Sequence, residues 1–277
     1  MRVLDIDNKT LRKIQLLQLE MLIEVDRICR KRNIKYIICG GTLLGAVRHQ
    51  GFIPWDDDID VRMERKEYEK FCKACHEELD KSKFFLQNYK TDKEYPWYYG
   101  KMRYLNTEYI RSGQEHLKMH SGIFIDIFPS DGLPDDLKSQ KAISRKCFLL
   151  KKILYANVGK KSAKGLLARI GYSILSLIPN KMVFEALDKI GQKYQDDKYE
   201  NITCYSLVDY NVERFLKRSW HFERVELTFE GKKFYAPKEY KKWLEFVYGE
   251  DYMQLPPVED RRIHNTASKI TLPDDIG

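Results

Sequence analysis

The sequence predicts an α+β fold, a mixed sheet core flanked by helices and interrupted by a basic helical insertion. Three observations predict it. Residues 9–32 repeat apolar side chains at helical spacing. Residues 36–61 run from a short β-branched stretch through two glycines and a short helix into a strand that alternates aspartate with aliphatics. Residues 137–184 hold eleven Lys or Arg and no Asp or Glu, among long aliphatic runs. The boundaries that follow are a core from 1–134, an insertion from 135–195, and a C-terminal part, 196–277, that completes the core and the substrate site.

Composition bounds the function classes. The 277 residues suffice for one large domain or two small ones, and 43% hydrophobic with 32% charged residues is ordinary for a water-exposed globular protein. A net charge of +8 suits an acidic partner, whether nucleotide, anionic polymer or membrane surface. The basic residues lack the aromatic interleaving of a base-stacking platform, so nucleic acid is not the expected partner. No leader and no run of 18 apolar residues is visible, so the expected compartment is cytoplasmic and the six cysteines are expected reduced.

Taken in order, Leu11, Ile14, Leu17, Met21, Val25 and Ile28 form the stripe of the first helix, which Asp7 or Thr10 can cap. Tyr36-Ile37-Ile38-Cys39 reads as a buried strand. Gly40 and Gly41 follow, where a chain turns tightly or lets a ligand approach, and Thr42 is placed to cap a short helix to Val47. A strand, a glycine turn and a helix start make an anion site, so Gly40, Gly41 and Thr42 are expected to seat a phosphate. Arg48 and His49 lie between that turn and the acidic run and are secondary candidates for substrate binding. Pro54 keeps the approach to Asp56 extended. With 58–61 as a strand, Asp58 and Asp60 share a face and can share one hard divalent cation. Ile59, Val61 and Trp55 make this stretch part of the core, which argues against a solvated acidic turn. Asp56, Asp58, Asp60 and Glu67 match four EF-hand positions, but Val61 stands where that loop needs glycine, and the EF-hand is rejected.

A helix over 64–80 carries Tyr68, Phe71, Cys72, Cys75 and Leu79. Cys72-Lys73-Ala74-Cys75-His76 has haem-attachment spacing, yet it sits on a charged helix and reads as two helical cysteines. Strands follow at 84–89 and 97–105, the second placing Lys101 and Arg103 on one face, where they would meet a second phosphate or solvent. His116 and His120 stand four apart without a completing ligand, which leaves zinc unsupported and His120 as a residue near the substrate. Ile123 to Phe128 is an apolar strand holding one carboxylate. Burying it unpaired is costly, and that cost names Asp126 as the third acidic partner. Helices are expected over 183–195 and from Pro237 to Gly249, with a hairpin turning at Glu230-Gly231 between them.

The quoted motifs resemble the LicD family of bacterial phosphocholine transferases, which act on teichoic acid or lipopolysaccharide. That family is related to the fukutin-related ribitol-phosphate transferases and belongs to the nucleotidyltransferase-fold superfamily. Gly40-Gly41, Asp58-Ile59-Asp60 and Gly122-Ile123-Phe124-Ile125-Asp126-Ile127-Phe128-Pro129 match in order. Val247-Tyr248-Gly249-Glu250-Asp251-Tyr252, with Arg261 and His264 beyond it, resembles the family's ending. The likeness spans most of the chain and thins between 135 and 225. It implies phosphocholine transfer from CDP-choline to a glycan hydroxyl with release of CMP. Asp58, Asp60 and Asp126 would hold Mg²⁺, or Mn²⁺ in its place, with Asp126 completing the metal site or taking the acceptor's proton. CDP-ribitol or CDP-glycerol as donor is the alternative within the fold; a non-catalytic binder of anionic polymers is the alternative outside it. Trp55, Trp97, Tyr98 and Tyr99 are candidates to cage a trimethylammonium group, and His264 is a substrate-side candidate.

The 166–178 run is too short to span a bilayer but long enough to lie in its interface. With its basic flanks it suggests peripheral contact with the inner face of an anionic membrane. A helix pair with a solvated basic face is the competing expectation.

Overall fold

A computed structural model describes residues 3–195, 197–210 and 215–273. The first helix, α1 (Asn8–Lys31), starts where Asp7 accepts the Thr10 N–H at 2.7 Å. Its stripe of Leu11, Ile14, Leu17, Met21, Val25 and Ile28 is entirely buried, each side chain contributing about 1.5–3 kcal/mol of transfer free energy. Next come β1 (Ile37–Ile38), α2 (Gly40–Arg48), β2 (Asp60–Glu64), α3 (Arg65–Glu78), β3 (Phe84–Gln87), β4 (Gly100–Tyr104), β5 (Glu108–Arg111) and β6 (Phe124–Leu133). The basic stretch folds as α4 (Leu137–Leu154), α5 (Ala156–Ser162), α6 (Leu166–Leu175) and α7 (Asn180–Lys193). The chain closes with β7 (Asn201–Thr203), β8 (Leu216–Lys217), α8 (Ser219–Phe222), β9 (Arg224–Phe229), β10 (Lys232–Pro237), α9 (Tyr240–Tyr248), a 3₁₀ turn at Val258–Asp260 and β11 (Ala267–Thr271).

The α+β expectation holds. The central sheet runs β1-β2-β6-β4-β3, with β7 on the later half of β6 and β8 beyond it. Only the β2–β6 pairing is parallel among these described strands. All ten residues of β6 are buried, as a strand with neighbours on both sides and cover on both faces must be. Helices α1 and α3 pack on each other and against β2, β4 and β6. The odd residues Ile125 and Ile127 meet Met102 and Val61 across the pairings in the main core. A second apolar cluster joins Leu133 to α4 and α7 through Cys147, Leu154, Val183 and Leu187. Among the described residues no helix is long and apolar enough to cross a membrane.

Several local expectations are corrected. Strand β2 starts at Asp60, so Asp58 lies in the extended approach and not in the ladder. Thr42 is inside α2, whose first residue is Gly40 and whose N-cap position is Cys39. Pro237 ends β10, and the last helix starts three residues later. Strand β6 runs past Phe128 to Leu133 and so contains a second carboxylate, Asp131.

Candidate active site

Three side chains line up across the sheet because of register. Asp60 of β2 is level with Asp126 of β6, and Lys101 of β4 is level with Asp126 from the other side. Partners level across a pleated sheet share a face. Asp58 enters that face from two residues before Asp60, and oxygens of Asp58, Asp60 and Asp126 all lie within 4.8 Å of one another. Lys101 donates a hydrogen bond to Asp126 Oδ1 in a buried pair. Its ammonium also lies 3.5 Å from the Phe124 ring centre.

The acidic loop is held by its backbone, which leaves the carboxylates free to converge. Two buried glutamines of α1 do much of this. Gln15 Nε2 donates to the Asp56 carbonyl at 3.0 Å, and Gln18 Nε2 donates to the carbonyls of Asp57 at 2.7 Å and Phe124 at 3.1 Å. Thr42 Oγ1 accepts the Asp60 N–H at 2.8 Å, which is its role in place of capping. The Asp126 N–H reaches the Ile59 carbonyl at 2.8 Å, locking the approach to β2 against β6. Asp57 points the other way, to the Tyr109 hydroxyl. Gly40 has φ +58°, and a Cβ there would collide with the Asp60 carboxylate; one at Gly41 would collide with that of Asp56. The glycine pair thus clears space for carboxylates at the positive end of α2.

Burial and crowding set the electrostatics. Burial, then the charges of Asp58 and Asp57, push Asp56 up to about 8. Burial, then Asp126, push Asp58 up to about 6. Asp60 rises well above the carboxylate range for the same two reasons, burial first. Lys101 is pulled down to about 7 by burial, against the opposing pull of Asp126. Burial also acts to lower Arg111 of β5, but Asp126 and its other anionic neighbours outweigh it and leave the guanidinium raised. A set of convergent, hard carboxylate oxygens with too few cations is a donor set for a divalent ion such as Mg²⁺, and Asp58, Asp60 and Asp126 fit that group.

A cleft of about 540 Å³ opens beside the carboxylates, with Gly41, Arg48, Trp55, Asp56, Asp58 and His264 among its lining. Its far wall is the C-terminal segment. Arg48 ties that segment to α2 by donating to the carbonyls of Tyr252 at 3.0 Å and Gln254 at 2.9 Å. The His264 N–H donates to the Trp55 carbonyl at 3.1 Å, and the Arg261 guanidinium lies 5.9 Å from the Trp55 ring centre.

The structure thus brings together Asp58, Asp60, Asp126, Gly40, Gly41, Thr42, Lys101, Arg48, Trp55 and His264. Other expected members are placed elsewhere. Arg103 is buried and donates to Gln87 Oε1 at 2.7 Å and the Gly122 carbonyl at 2.6 Å, so it braces β3 and the entry to β6. His49 is occupied by Arg48 Nε at 3.0 Å and by the edge of Trp55. Trp97 and Tyr99 line a separate small cavity behind Lys101, and Tyr98 belongs to the second cluster, donating to Asp188 at 2.6 Å. Trp55 alone of the four cage candidates lines the cleft. His116 meets the Asn157 carbonyl at 2.9 Å, whereas His120 accepts the Gly122 N–H at 3.2 Å beside the Phe85 ring, so the two share no site and His120 braces a turn. Sequence reasoning passed over Asp56, Gln15, Gln18 and Arg111. Asp56 continues the alternation of Asp58 and Asp60, and the glutamines interrupt the apolar stripe of α1, which are readable signals; Arg111 had none.

Comparisons with known proteins find relatives over most of the chain. Residues 33–148 match the family described as LicD/FKTN/FKRP, nucleotidyltransferase domain. The lipopolysaccharide cholinephosphotransferase LicD of Haemophilus influenzae is 31% identical over 264 residues, covering 92% of this chain and 96% of that protein. An uncharacterised protein of Rickettsia prowazekii is 55% identical over 42 residues, 15% of this chain and 16% of its own.

Proposed function

Because the chain belongs to the LicD family, we propose that it transfers phosphocholine from CDP-choline to a sugar hydroxyl of a lipopolysaccharide, a teichoic acid or a related glycan, with release of CMP. The observation that carries the reading is the convergence of Asp58, Asp60 and Asp126 beside a cleft of about 540 Å³ that Asp58 lines, in a chain similar along most of its length to a named cholinephosphotransferase.

Asp58, Asp60 and Asp126 would hold Mg²⁺ or Mn²⁺, which when bound offsets the negative charge of the donor diphosphate and the departing CMP. Lys101 neutralises and orients Asp126. The positive end of α2 at Gly40-Gly41 is taken up by the Asp60 and Asp56 carboxylates, so in place of seating a phosphate directly, as the sequence suggested, it supports the carboxylates that would hold the ion. Trp55 offers a ring face to the trimethylammonium group, a contact of about 0.5–2 kcal/mol. Asp126 is engaged by Lys101, so Asp56, which lines the cleft beside Asp58, is the group we assign to accept the acceptor's proton, in the ionised form that a bound cation would favour. We place the reaction in the cytoplasm, peripheral to the inner face of the cell membrane, on the strength of the basic α4–α7 segment.

The test is a donor screen with purified protein, Mg²⁺ and a choline-free glycan acceptor, offering CDP-choline, CDP-ribitol and CDP-glycerol and reading CMP. CMP from CDP-choline is the expected result. Release from CDP-ribitol or CDP-glycerol alone would transfer the reading to those donors, and none from any donor would overturn it.

A further inference from the structure

Helix α6 has no buried residue. At 100° per residue its positions divide into two sides. Tyr172, Leu175 and the following Ser176, all half-buried, fall on one side, which rests on α5 and α4. Tyr172 covers Gly159 of α5 so closely that a Cβ there would collide with the ring. The same ring meets the edge of Tyr155 at 5.9 Å, and the Tyr172 hydroxyl accepts from Lys152 Nζ at 3.4 Å. Lys160 Nζ reaches Ser176 Oγ at 3.5 Å.

The opposite side is a continuous aliphatic stripe in solvent. Leu166 is 74%, Leu167 85%, Ile174 62% and Leu177 80% exposed, with Ile170 between them. Scattered exposed leucines need no explanation, but a contiguous stripe does. Exposed Lys161, Lys164, Arg169 and Lys181 lie within or beside it in the chain, in a stretch, 137–184, of eleven cations and no anion. Ten helical residues span about 15 Å, half the hydrocarbon thickness of a bilayer, so the helix can lie along a membrane but not cross it.

We propose that α6 is the element by which this protein docks on an anionic lipid surface. Its Leu/Ile stripe enters the headgroup–acyl boundary while the surrounding lysines and Arg169 meet lipid phosphates. Charge complementarity selects the occupant: an aliphatic stripe flanked by Lys161, Lys164 and Arg169, and by Lys181 with its exposed partner Glu185 at 4.0 Å, carries a positive excess that fits a surface apolar below and negative above. The proposal makes specific the peripheral placement given above. It rests on that placement and not on the transfer chemistry, since none of these residues lines the carboxylate cleft.

The experiment is co-sedimentation of the full chain with vesicles of phosphatidylcholine alone or mixed with phosphatidylglycerol, alongside CMP release in solution. Wild type is expected to bind the anionic vesicles at low salt, to ignore the neutral ones and to be released by high salt. Two triple variants separate the contributions, and all their positions are exposed, so folding is not at risk. Lys161→Glu/Lys164→Glu/Lys181→Glu removes the charges; Leu167→Ser/Ile170→Ser/Ile174→Ser removes the stripe. Each is expected to weaken vesicle binding at least about tenfold with CMP release unchanged. Wild type that stays in the supernatant with anionic vesicles overturns the proposal. So does a serine variant that binds like wild type, since the stripe then enters nothing. Self-association without lipid that the serine variant abolishes assigns the stripe to a second copy and likewise overturns it. Vesicle binding without CMP release would leave the docking intact and count against the transfer reaction alone.

Discussion

Strand β6 carries two buried aspartates five residues apart, and they live in opposite electrostatic surroundings. Asp131 is met by Arg65 in a two-point pair, Nε to Oδ1 at 2.8 Å and Nη2 to Oδ2 at 2.7 Å, fully inside the protein. Asp126 has one hydrogen-bonded lysine, whose own charge burial disfavours, and Arg111 within its field, and it faces both Asp58 and Asp60. The first is a satisfied structural pair; the second is an acidic array short of positive charge. Burial of a carboxylate therefore does not mark a functional site by itself, because its cost vanishes from view once a geometrically matched partner is present. What marks the site is the excess of negative charge that the fold leaves unmatched.

Substitution at the two ends of β6 should separate these roles. Asp58→Asn, Asp60→Asn and Asp126→Asn each keep the volume and remove a charge, so transfer should fall at least about a thousandfold with the fold kept. Near-normal turnover by any of the three with saturating Mg²⁺ would take that residue out of the site. At the other end, Arg65→Met strands the Asp131 carboxylate and should cost about 3 kcal/mol of stability, read as a lower denaturant midpoint. If the Met variant is as stable as wild type, the pair is not the structural counterpart described.

A smaller effect concerns pH. In the metal-free protein, Asp56 and Asp58 are held above the ordinary 3.8, at about 8 and about 6. Between pH 4 and those values the folded state keeps protons that the unfolded chain has released. Raised carboxyl values therefore subtract stability as pH climbs through that window, the reverse of a salt-bridged aspartate. Melting in chelator should show wild type losing ground against Asp56→Asn from pH 5 to 8, by on the order of 1–3 kcal/mol. Parallel pH slopes for the two proteins would show that the cluster is not strained.

The acidic motif was legible in the chain because its information is local. Alternation placed Asp58 and Asp60 together, an isolated charge in an apolar run singled out Asp126, and the stripe of α1 followed from helical period. The partners of those residues were not legible, since register is a tertiary quantity. Lys101 and Arg103 share a face of one strand, yet the β4–β6 pairing sets Lys101 level with Asp126 while Arg103 goes to Gln87. Thr42 reads as a cap, and only the fold brings the Asp60 N–H to it. Asp131 escaped because Pro129 and Gly132 disguise the continuation of β6. Likewise, nothing local predicts that β11 pairs with β5, some 160 residues earlier.

The central claim is that the unmatched charge at the Asp126 end of β6 is there to be met by a divalent cation during phosphocholine transfer. The direct measurement is CMP release from CDP-choline with acceptor present, as Mg²⁺ is titrated into exhaustively chelated enzyme, for wild type and for Asp60→Asn. The account predicts no turnover without the ion, a saturable return on adding it, and no return in the variant at any concentration. Turnover that persists in the chelated wild-type enzyme would contradict it.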